Sequence, residues 1–551
     1  MNARIYAAVA AGSFALAGCG GASHAVPAAQ RPAAQAHAQV AFAMRWPQRG
    51  ASASARTVQS GRRPAFISPS AASVIVEVNP DASTAGPITF ANAPSGGGTS
   101  TIAIDAPAGA DVFVISVYDA PQTAGETAGA GNELGRVSVS QTIVANTTNT
   151  LNATVVGTVA AIRIGPAANQ ANVVPVAGSS PQSYELVGRA PATFTVAPLD
   201  ADGNVIVQPD APPAISLTTN PRSTGMLSVT PVSGQTNEFT VQAVAPNTTT
   251  YPTALTATAT DANGNLATSS TIVDETSALY VAYANGGSPA VARFDPHGTV
   301  LPLPSGAFAG LSNPVALAYD ADDRMIFVAD AGLGKVVAFD ENGAPAPSFA
   351  PSAVAGANGV TYDSNAGNVY ATGASGVTVF APNGGTPNGG APATFAAANA
   401  HGIAFIARNS SGADNRLAIG NASASPALAF YKEAGASAGS AALTAAPIAV
   451  AYGAPVTSGQ APQTAAQLYV TTASAVVAFP PFGASIATAT DGGGPYGVAV
   501  DPNSREPVVA ERSANAITSY LFDLSGTDSA TSFATPATLG LTQPQGVCHV
   551  F

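Results

Sequence analysis

Short apolar runs recur at nearly constant intervals along the second half of the chain. Each run contains a small residue followed by apolar residues, and some copies end in Asp. The six copies are PVALAYD (314–320), ANGVTYD (357–363), AHGIAFI (400–406), PIAVAYG (447–453), PYGVAVD (495–501) and PQGVCHV (544–550). The aligned small residues stand 43 to 49 residues apart, at Ala316, Gly359, Gly402, Ala449, Gly497 and Gly546. A period of about 40 to 50 residues made of short apolar runs indicates repeated units that stack on one another.

Two further runs follow most copies, and turn-forming residues separate them. Second runs include IFVAD (326–330) and VYATG (369–373), and third runs end in an aromatic residue such as Phe339 or Tyr520. Short segments rich in β-branched and aromatic residues, bounded by Gly, Pro, Asn and Asp, predict strands joined by turns. The sequence DENG (340–343) is typical of such a turn, since Gly accepts the positive φ that other residues resist.

The count of runs predicts that the repeats form a closed ring. Upstream of the first complete copy, LYVAY (279–283) and VARF (291–294) supply second and third strands without a first strand. The C-terminal run 545–550 supplies the missing strand, so it completes a unit that begins near Ala278. Joining both ends in one sheet leaves no unpaired terminal unit. We therefore predict a six-bladed β-propeller over residues 277–551.

Two further β regions precede the propeller. The first, residues 68–157, alternates in SVIVEV (73–78), DVFVISVY (111–118) and RVSVS (136–140). The second, residues 158–276, does so in ATFTVA (192–197), ISLTT (215–219), EFTVQAV (238–244) and LTATAT (255–260). Short alternating strands at regular spacing predict two β-sandwich-like domains, so the expected fold class is all-β. Residues 19–67 are rich in Ala, Gln, Ser and Pro and predict a disordered tether.

Parts of this pattern resemble known families. The blades resemble NHL-type propellers, whose units run Pro-x-Gly-hydrophobic-Ala-x-Asp, then a Tyr-Val-Ala-Asp-like strand, then a strand that ends in Phe before Asp-x-x-Gly. The resemblance is good around Val315 and Tyr496, but around Ile406 and Gly453 the Asp is lost. Such propellers mostly bind proteins, nucleic acids or small molecules, and a few relatives are lyases or lactonases, so the likeness does not select a function. The region 158–276 resembles bacterial immunoglobulin-like stalk domains.

The N-terminus predicts export and lipidation. Arg4 precedes an apolar stretch from Ile5 to Leu16, which has the form of a secretory signal and is shorter than the roughly 20 apolar residues of a membrane span. The following Leu-Ala-Gly-Cys (16–19) resembles the bacterial lipobox, which implies a signal peptide over residues 1–18 and covalent lipid on Cys19. The alternative is an ordinary signal peptide with an incidental Cys. No Asp follows Cys19, which favours the outer membrane or the cell surface of a bacterial envelope over the inner membrane.

Charge is unevenly distributed along the chain. The formal net charge is −12, yet residues 1–76 contain arginines and no acidic residue. These arginines fit contact with anionic lipid, lipopolysaccharide or cell-wall polymer beside the anchor, or a simple basic spacer. The acidic remainder argues against a nucleic-acid partner, since phosphate binding needs clustered Lys and Arg. The second of the two cysteines, Cys548, lies in an apolar run and is expected to be a small buried residue rather than a nucleophile.

One face of the propeller is the expected ligand-binding site. Antiparallel strands place the start of each first strand beside the end of each second strand at the mouth of the central channel. The candidate ligand-binding residues at this mouth are Asn358, His401, Tyr496 and Gln545 from first strands, and Tyr283, Asp330, Asn421 and Glu511 from second strands. His401, Asp330 and Glu511 are the strongest potential metal ligands or proton carriers among them. The interpretation that they hold structural hydrogen bonds is the simpler one, so neither a metal ion nor another cofactor is expected.

Three functions remain open at this stage. The favoured one is a lipid-anchored envelope protein that displays the propeller for non-catalytic binding of a protein, a glycan or another envelope ligand. The alternatives are a metal-dependent lactonase or lyase that uses His401, Asp330 and Glu511, and a structural or adhesive surface protein. Separately, DADGN (200–204) and DANGN (261–265) resemble the opening of a calcium loop but lack the later bidentate Glu, and a Gly-containing turn explains them without a metal.

Overall fold

The structure is a computed structural model in which the described part of the chain is β-structure. It describes residues 36–46, 68, 70–80, 86–95, 97–123, 129–206, 212–220, 226–244, 253–284, 290–407, 415–422, 427–454, 466–481, 484–502 and 504–551. The helical segments in these ranges are two 3-10 turns, Asn388–Gly390 and Ala537–Leu539. None of the helices described is long and apolar enough to cross a membrane. The prediction of an all-β chain is confirmed, and the chain divides into two compact units, Met1–Gly157 and Thr158–Phe551.

The first unit is a two-sheet sandwich. One sheet has the order β4-β1-β7 and the other the order β3-β2-β5-β6-β8. The strands are β1 (His37–Trp46), β2 (Ser73–Val78), β3 (Ile88–Asn92), β4 (Gly98–Pro107), β5 (Gly109–Tyr118), β6 (Glu133–Ile143), β7 (Asn149–Leu151) and β8 (Val156–Gly157). Both sheets contribute alternate apolar side chains to one core, including Phe42 and Ile104 from one sheet and Val74 and Phe113 from the other.

The prediction of a disordered tether over residues 19–67 is wrong for residues 37–46. These residues form β1, which pairs antiparallel with β4 along its whole length. Every second residue from Ala38 to Trp46 is buried, as a half-buried strand requires. The alternation is present in HAQVAFAMRW, but Ala and Gln weaken its contrast within an Ala-rich region. Cys19, the signal segment 1–18 and the remainder of the predicted tether apart from Ala36 lie outside the described residues.

The second unit begins with a two-sheet sandwich. Its sheets have the orders β10-β11-β17-β16-β13 and β14-β15-β12-β9. The strands are β9 (Ala161–Pro166), β10 (Val173–Pro175), β11 (Tyr184–Val187), β12 (Ala192–Leu199), β13 (Ala214–Thr219), β14 (Leu227–Pro231), β15 (Glu238–Ala243), β16 (Ala254–Thr260) and β17 (Leu266–Thr276). Phe194 and Val241 from one sheet and Leu255 and Val273 from the other share a core.

Six four-stranded antiparallel sheets follow and form a propeller. Blades 1 to 3 are β21 (Pro314–Asp320), β22 (Met325–Asp330), β23 (Lys335–Asp340) and β24 (Ser352–Ala353); β25 (Gly359–Asp363), β26 (Asn368–Gly373), β27 (Gly376–Phe380) and β28 (Thr394–Phe395); and β29 (Ala400–Ile406), β30 (Arg416–Asn421), β31 (Leu428–Tyr431) and β32 (Ser437–Ala441). Blades 4 and 5 are β33 (Pro447–Gly453), β34 (Gln467–Thr472), β35 (Ala475–Phe479) and β36 (Ala487–Thr490); and β37 (Pro495–Val500), β38 (Pro507–Glu511), β39 (Ala516–Tyr520) and β40 (Thr527–Ala534). Blade 6 joins β18 (Ala278–Tyr283), β19 (Ala290–Phe294) and β20 (Val300–Leu301) to β41 (Pro544–Val550).

The C-terminal strand closes the ring as the sequence predicts. β41 pairs antiparallel with β18, so that Ala278 lies opposite Val550 and Tyr280 opposite Cys548. Each first strand also contacts the first strand of the next blade, and β41 contacts both β37 and β21. Cys548 is buried within blade 6, which confirms its expected place in the core.

The sandwich of the second unit and blade 6 share apolar contacts. Only Ser277 separates β17 of the sandwich from β18 of the propeller. Phe551 is 7% exposed and packs into the core of the sandwich, while Val187 of the sandwich packs with Tyr280 of blade 6. The Ser277 hydroxyl also lies 2.8 Å from Nδ1 of His549 on β41. The junction between sandwich and propeller is therefore packed and not merely tethered.

Candidate functional site: the mouth of the propeller channel

The aligned small residues of the repeat form a narrow neck at the propeller axis. A Cβ on Gly402 would lie 2.8 Å from the Cα of Ala449, and a Cβ on Gly546 would lie 2.8 Å from the Cα of Ala316. A Cβ on Gly359 would likewise lie 2.9 Å from the Cα of Gly402. Adjacent first strands thus meet backbone to backbone, and the repeat keeps small residues at these positions because larger ones do not fit.

The neck leaves little room for a ligand. The cavity that it lines has a volume of about 40 Å³. By this measure a water molecule needs about 10 to 15 Å³, so the neck holds at most a few water molecules. The lining residues at or just before the starts of first strands are Val315, Asn358, Ile448 and Tyr496, of which Asn358 and Tyr496 were expected at the mouth. A ligand of the propeller must therefore bind at the mouth and not within the neck.

The strand register places the predicted residues at one edge of the blades. The start of the first strand lies opposite the end of the second strand in the pairs Pro314–Asp330, Ala400–Asn421, Pro495–Glu511 and Pro544–Tyr283. This pairing confirms the geometric expectation that these positions share an edge. Whether any of them binds a ligand stays a prediction.

Asn358 and His401 link neighbouring first strands at this edge. The amide of Asn358 donates to the backbone oxygen of Ala400 over 2.9 Å and accepts from the Thr372 hydroxyl over 2.6 Å. Nδ1 of His401 donates to the backbone oxygen of Ile448 over 2.9 Å. Each side chain joins its own blade to the next one, so both have a structural task in this arrangement, and both remain partly exposed.

Asp330 holds the backbone of its own blade. It is fully buried, and its carboxylate accepts the N–H groups of Ser312, Asn313 and Leu333 over 2.6 to 2.9 Å. Three backbone donors around one carboxylate satisfy it without a cation. The interpretation of this Asp as a structural residue at the end of the second strand is supported by these bonds.

Tyr283, Gln545 and Asn421 are also engaged within the protein. Tyr283 is fully buried, its hydroxyl lies 3.2 Å from that of Thr535, and burial raises its pKa to about 12. Gln545 is 1% exposed and its amide donates to Oδ1 of Asn313 over 3.3 Å. Asn421 is partly exposed, and its backbone N–H donates to the oxygen of Ala427 over 2.7 Å. Tyr283 and Gln545 are therefore placed beneath the mouth surface.

Glu511 belongs to a carboxyl pair that the sequence did not reveal. It is 8% exposed, and burial together with the neighbouring Asp491 raises its pKa. Asp491 accepts one hydrogen bond from the Tyr520 hydroxyl over 2.5 Å and another from the N–H of Gly493 over 2.6 Å. Asp491 lies in the loop before β37, twenty residues from Glu511, and nothing in the local sequence links the two positions.

Arg512 is exposed at the mouth and lies over Tyr496, which is partly exposed like Asn358 and His401. The guanidinium carbon of Arg512 lies 5.2 Å from the centre of the Tyr496 ring, within the range of a cation–π contact. Arg512 also donates to the side-chain oxygen of Gln543 over 3.3 Å. Sequence reasoning identified Tyr496 but missed Arg512, which follows Glu511 directly at the end of a second strand.

His401, Asp330 and Glu511 do not converge on a shared metal site. Among the described residues no group of three His, Cys, Asp or Glu side chains could hold a metal ion. A metal-dependent lactonase or lyase would need these three side chains on one ion, whereas Asp330 and His401 bond to backbone groups and Glu511 lies beside Asp491.

The two candidate calcium loops are hairpin turns. Asp200 accepts the N–H groups of Asp202 and Asn204 over 3.0 and 2.8 Å. The loop that starts at Asp261 repeats this pattern, with 2.9 Å to the N–H of Asn263 and 3.0 Å to that of Asn265. The acidic side chain thus caps its own turn, which supports the interpretation without a metal.

Comparison with known proteins adds no functional assignment. No protein-family model matches this chain, and no characterised protein matches it in sequence. Solved structures with a weak likeness include a nidogen–laminin complex, with 13% identity, a TM-score of 0.34, 50% of this chain covered and 98% of that chain. A protein of unknown function from Bacteroides thetaiotaomicron has 11% identity and a TM-score of 0.34, covering 70% and 94%. A gluconolactonase, XC5397 from Xanthomonas campestris, has 14% identity and a TM-score of 0.30, covering 40% and 75%. Likenesses this weak carry no argument about function.

Proposed function

We propose that this chain is a lipid-anchored protein of the bacterial cell envelope whose propeller binds a protein, glycan or other envelope ligand without catalysis. The observation that carries this proposal is the narrow neck, where adjacent first strands meet backbone to backbone and leave a cavity of about 40 Å³. The polar residues around the neck are engaged in hydrogen bonds that join or brace the blades. A partner would therefore bind to the outer surface at the mouth and not inside an enclosed cavity.

The exposed pair of Tyr496 and Arg512 supports recognition of a partner at this surface. Tyr and Arg are enriched among the residues that contribute most to protein interfaces, because both combine apolar area with polar contacts. The ring of Tyr496 is partly exposed and Arg512 is exposed above it. We place the centre of the binding surface at these two residues.

Sedimentation with purified envelope components tests the binding role. The probes are isolated peptidoglycan sacculi and outer-membrane vesicles, and the protein is the full chain carrying Cys19→Ser so that no lipid contributes. We expect Tyr496→Ala and Arg512→Ala each to weaken co-sedimentation with one probe at least tenfold. Leu521→Ala is the matched control, because Leu521 is 39% exposed and follows the opposite end of the same blade.

Two results would contradict this proposal. The first is binding that survives both mouth substitutions, and the second is the absence of binding to either probe. A stoichiometric metal in the purified protein, with a lower thermal midpoint after EDTA treatment, would instead favour the metal-dependent enzyme. Normal surface assembly by a chain that lacks residues 277–551 would point to a purely structural role for the remainder.

Lipidation of Cys19 is tested separately by metabolic labelling with an alkyne fatty acid. We expect the wild-type chain to be labelled and to sediment with membranes, and Cys19→Ser to lose both properties. Cys548→Ser is the internal control, since Cys548 is the only other cysteine and lies buried in blade 6. Equal labelling of wild type and Cys19→Ser would show that the lipobox resemblance is misleading.

A further inference from the structure

A second cavity lies between the sandwich of the second unit and the propeller. Its volume is about 240 Å³, and it is bounded by the sandwich loop 187–191, by blade 6 and by two turns of blade 1. The polar side chains that line it are Arg189, Arg293, Arg324, Tyr280, Glu341 and Asn342. It is distinct from the neck at the propeller axis and shares no lining residue with it.

Positive charge is concentrated around this cavity. Residues 158–551 contain nine arginines, and three of them line this one space, although the chain as a whole carries a net charge of −12. Glu341 is the single acidic residue in the lining. Three guanidinium groups face one carboxylate, so the cavity has a net positive charge. Like charges that share a confined space repel one another unless an anion compensates them.

Glu341 compensates only one of the three arginines. Its carboxylate accepts a hydrogen bond from Nε of Arg324 over 3.1 Å and pairs with Nη2 of the same residue. It also accepts a hydrogen bond from the Tyr319 hydroxyl over 2.6 Å. Arg189 donates from Nη1 to the backbone oxygen of Ala321 over 3.2 Å. Arg293 donates from Nη2 to the backbone oxygen of Pro302 over 2.8 Å. Neither of the latter two forms a salt bridge within the described part of the chain.

Arg189 and Arg293 also retain unused donors. The Nε atoms of both are buried and have no hydrogen-bond acceptor among the described residues. A buried donor without an acceptor costs about 1 to 3 kcal/mol, and more when the group is charged. Each guanidinium carries five N–H groups in a planar fork that matches carboxylate or phosphate oxygens. An anion in the cavity would compensate the charge of both guanidinium groups and could accept hydrogen bonds from their Nη atoms.

We propose that this cavity binds a small oxyanion, a carboxylate or phosphate group, held by Arg189 and Arg293. The volume is below the roughly 300 Å³ at which sites for drug-sized molecules begin. The occupant is therefore an inorganic anion or a small organic acid. Since the cavity is bounded by both the sandwich and blades 1 and 6, the bound anion holds these elements together.

Thermal unfolding of the purified full chain tests the proposal. The probes are inorganic phosphate and citrate, each compared with chloride at equal ionic strength. An anion that binds only the folded state raises the midpoint by mass action. We expect phosphate, citrate or both to raise it in the wild type, and the one that acts better identifies the preferred group. In Arg189→Gln and in Arg293→Gln the apparent affinity should fall at least tenfold.

Arg163→Gln is the matched control, because Arg163 is exposed on β9 of the same sandwich and does not line the cavity. The wild-type response should persist in this control. The proposal is overturned if neither anion exceeds chloride, or if the response is the same in all variants. Should the cavity variants fail to fold, wild-type crystals soaked in selenate decide the matter. Anomalous density between Arg189 and Arg293 supports the site, and its absence there rejects it.

Discussion

Asp200, Asp261, Asp295 and Asp340 each open a five-residue hairpin loop with the same hydrogen bonds. In each loop one carboxylate oxygen accepts the N–H groups two and four residues later, over 2.8 to 3.0 Å. In each the fourth residue is a Gly with φ between 78° and 84°. Two of these loops lie in the sandwich and two in the propeller. From the sequence, the pair in the sandwich resembled the opening of a calcium loop but was explained by a turn, and the structure assigns this turn role to all four.

A residue whose environment the sequence could not reveal is Glu275. It stands in β17, is 2% exposed, and accepts the Thr253 hydroxyl over 3.0 Å. Burial raises its pKa from 4.5 to about 7, and the neighbouring Asp274 adds to the rise. The alternating pattern of LATSSTIVDET gives no hint of this, since a Glu on a strand is usually solvated.

We predict that Glu275 makes the second unit less stable as the pH rises. Below about pH 4.5 the carboxyl is neutral in both states, and between about pH 4.5 and 7 the unfolded chain loses the proton first, so the folded state becomes relatively less stable. The loss attributable to this group is on the order of 3 kcal/mol. Glu275→Gln should match the wild type near pH 4.5 and exceed it near pH 8 in thermal unfolding. Parallel pH profiles for the two proteins would contradict this assignment.

At the scale of elements, the predicted strands agree with the structure where apolar contrast is strong. PVALAYD, AHGIAFI, PIAVAYG and PQGVCHV correspond exactly in extent to β21, β29, β33 and β41. The outermost strand of each blade was not predicted. These strands include β24 (Ser352–Ala353) and β28 (Thr394–Phe395), each two residues long, so they have no period to detect.

We expect substitution of two glycines to have different effects on stability: Gly492, just before β37, and Gly497, within it. A Cβ on Gly497 would overlap the backbone oxygen of Gln545 on the neighbouring first strand, whereas a Cβ on Gly492 would meet nothing within 4 Å. Neither has a positive φ, so only space distinguishes them. We expect Gly497→Ala to cost about 1 to 3 kcal/mol through overpacking, and Gly492→Ala to be nearly neutral. Equal denaturant midpoints for the two variants would show that the first strands can move apart at low cost.

At the scale of the whole molecule, ring closure depends on contacts between distant parts of the sequence. β18 and β41 are separated by most of the propeller, yet they are neighbours in one sheet. The sequence predicted this pairing by counting strands. Strand counting could not predict that Phe551 packs into the core of the sandwich, with the guanidinium carbon of Arg189 5.4 Å from the centre of its ring.

Removing residues 544–551 should open the ring. The deletion takes away β41, leaves the edge of β18 unpaired and leaves β21 and β37 without the strand between them. Because exposed strand edges promote association, we expect aggregation and early proteolysis of blade 6. Phe551→Ala is the control: it keeps β41 and should lower the midpoint while preserving a single transition of the second unit in calorimetry. A truncated chain that unfolds like the wild type would argue against a ring that depends on β41.

The sequence by itself determined the all-β class, the number of blades and the strand that closes the ring, because these follow from local alternation and from a repeat that can be counted. It also determined which positions are small at the axis, since the repeat aligns them. Only the tertiary structure decided that the neck is narrow, that Asp330 accepts hydrogen bonds from backbone N–H groups, and that Glu511 lies beside Asp491. It alone brought Arg189, Arg293 and Arg324 around one cavity. These features depend on side chains far apart in the sequence, whose meeting is set by how sheets pack and not by any local pattern.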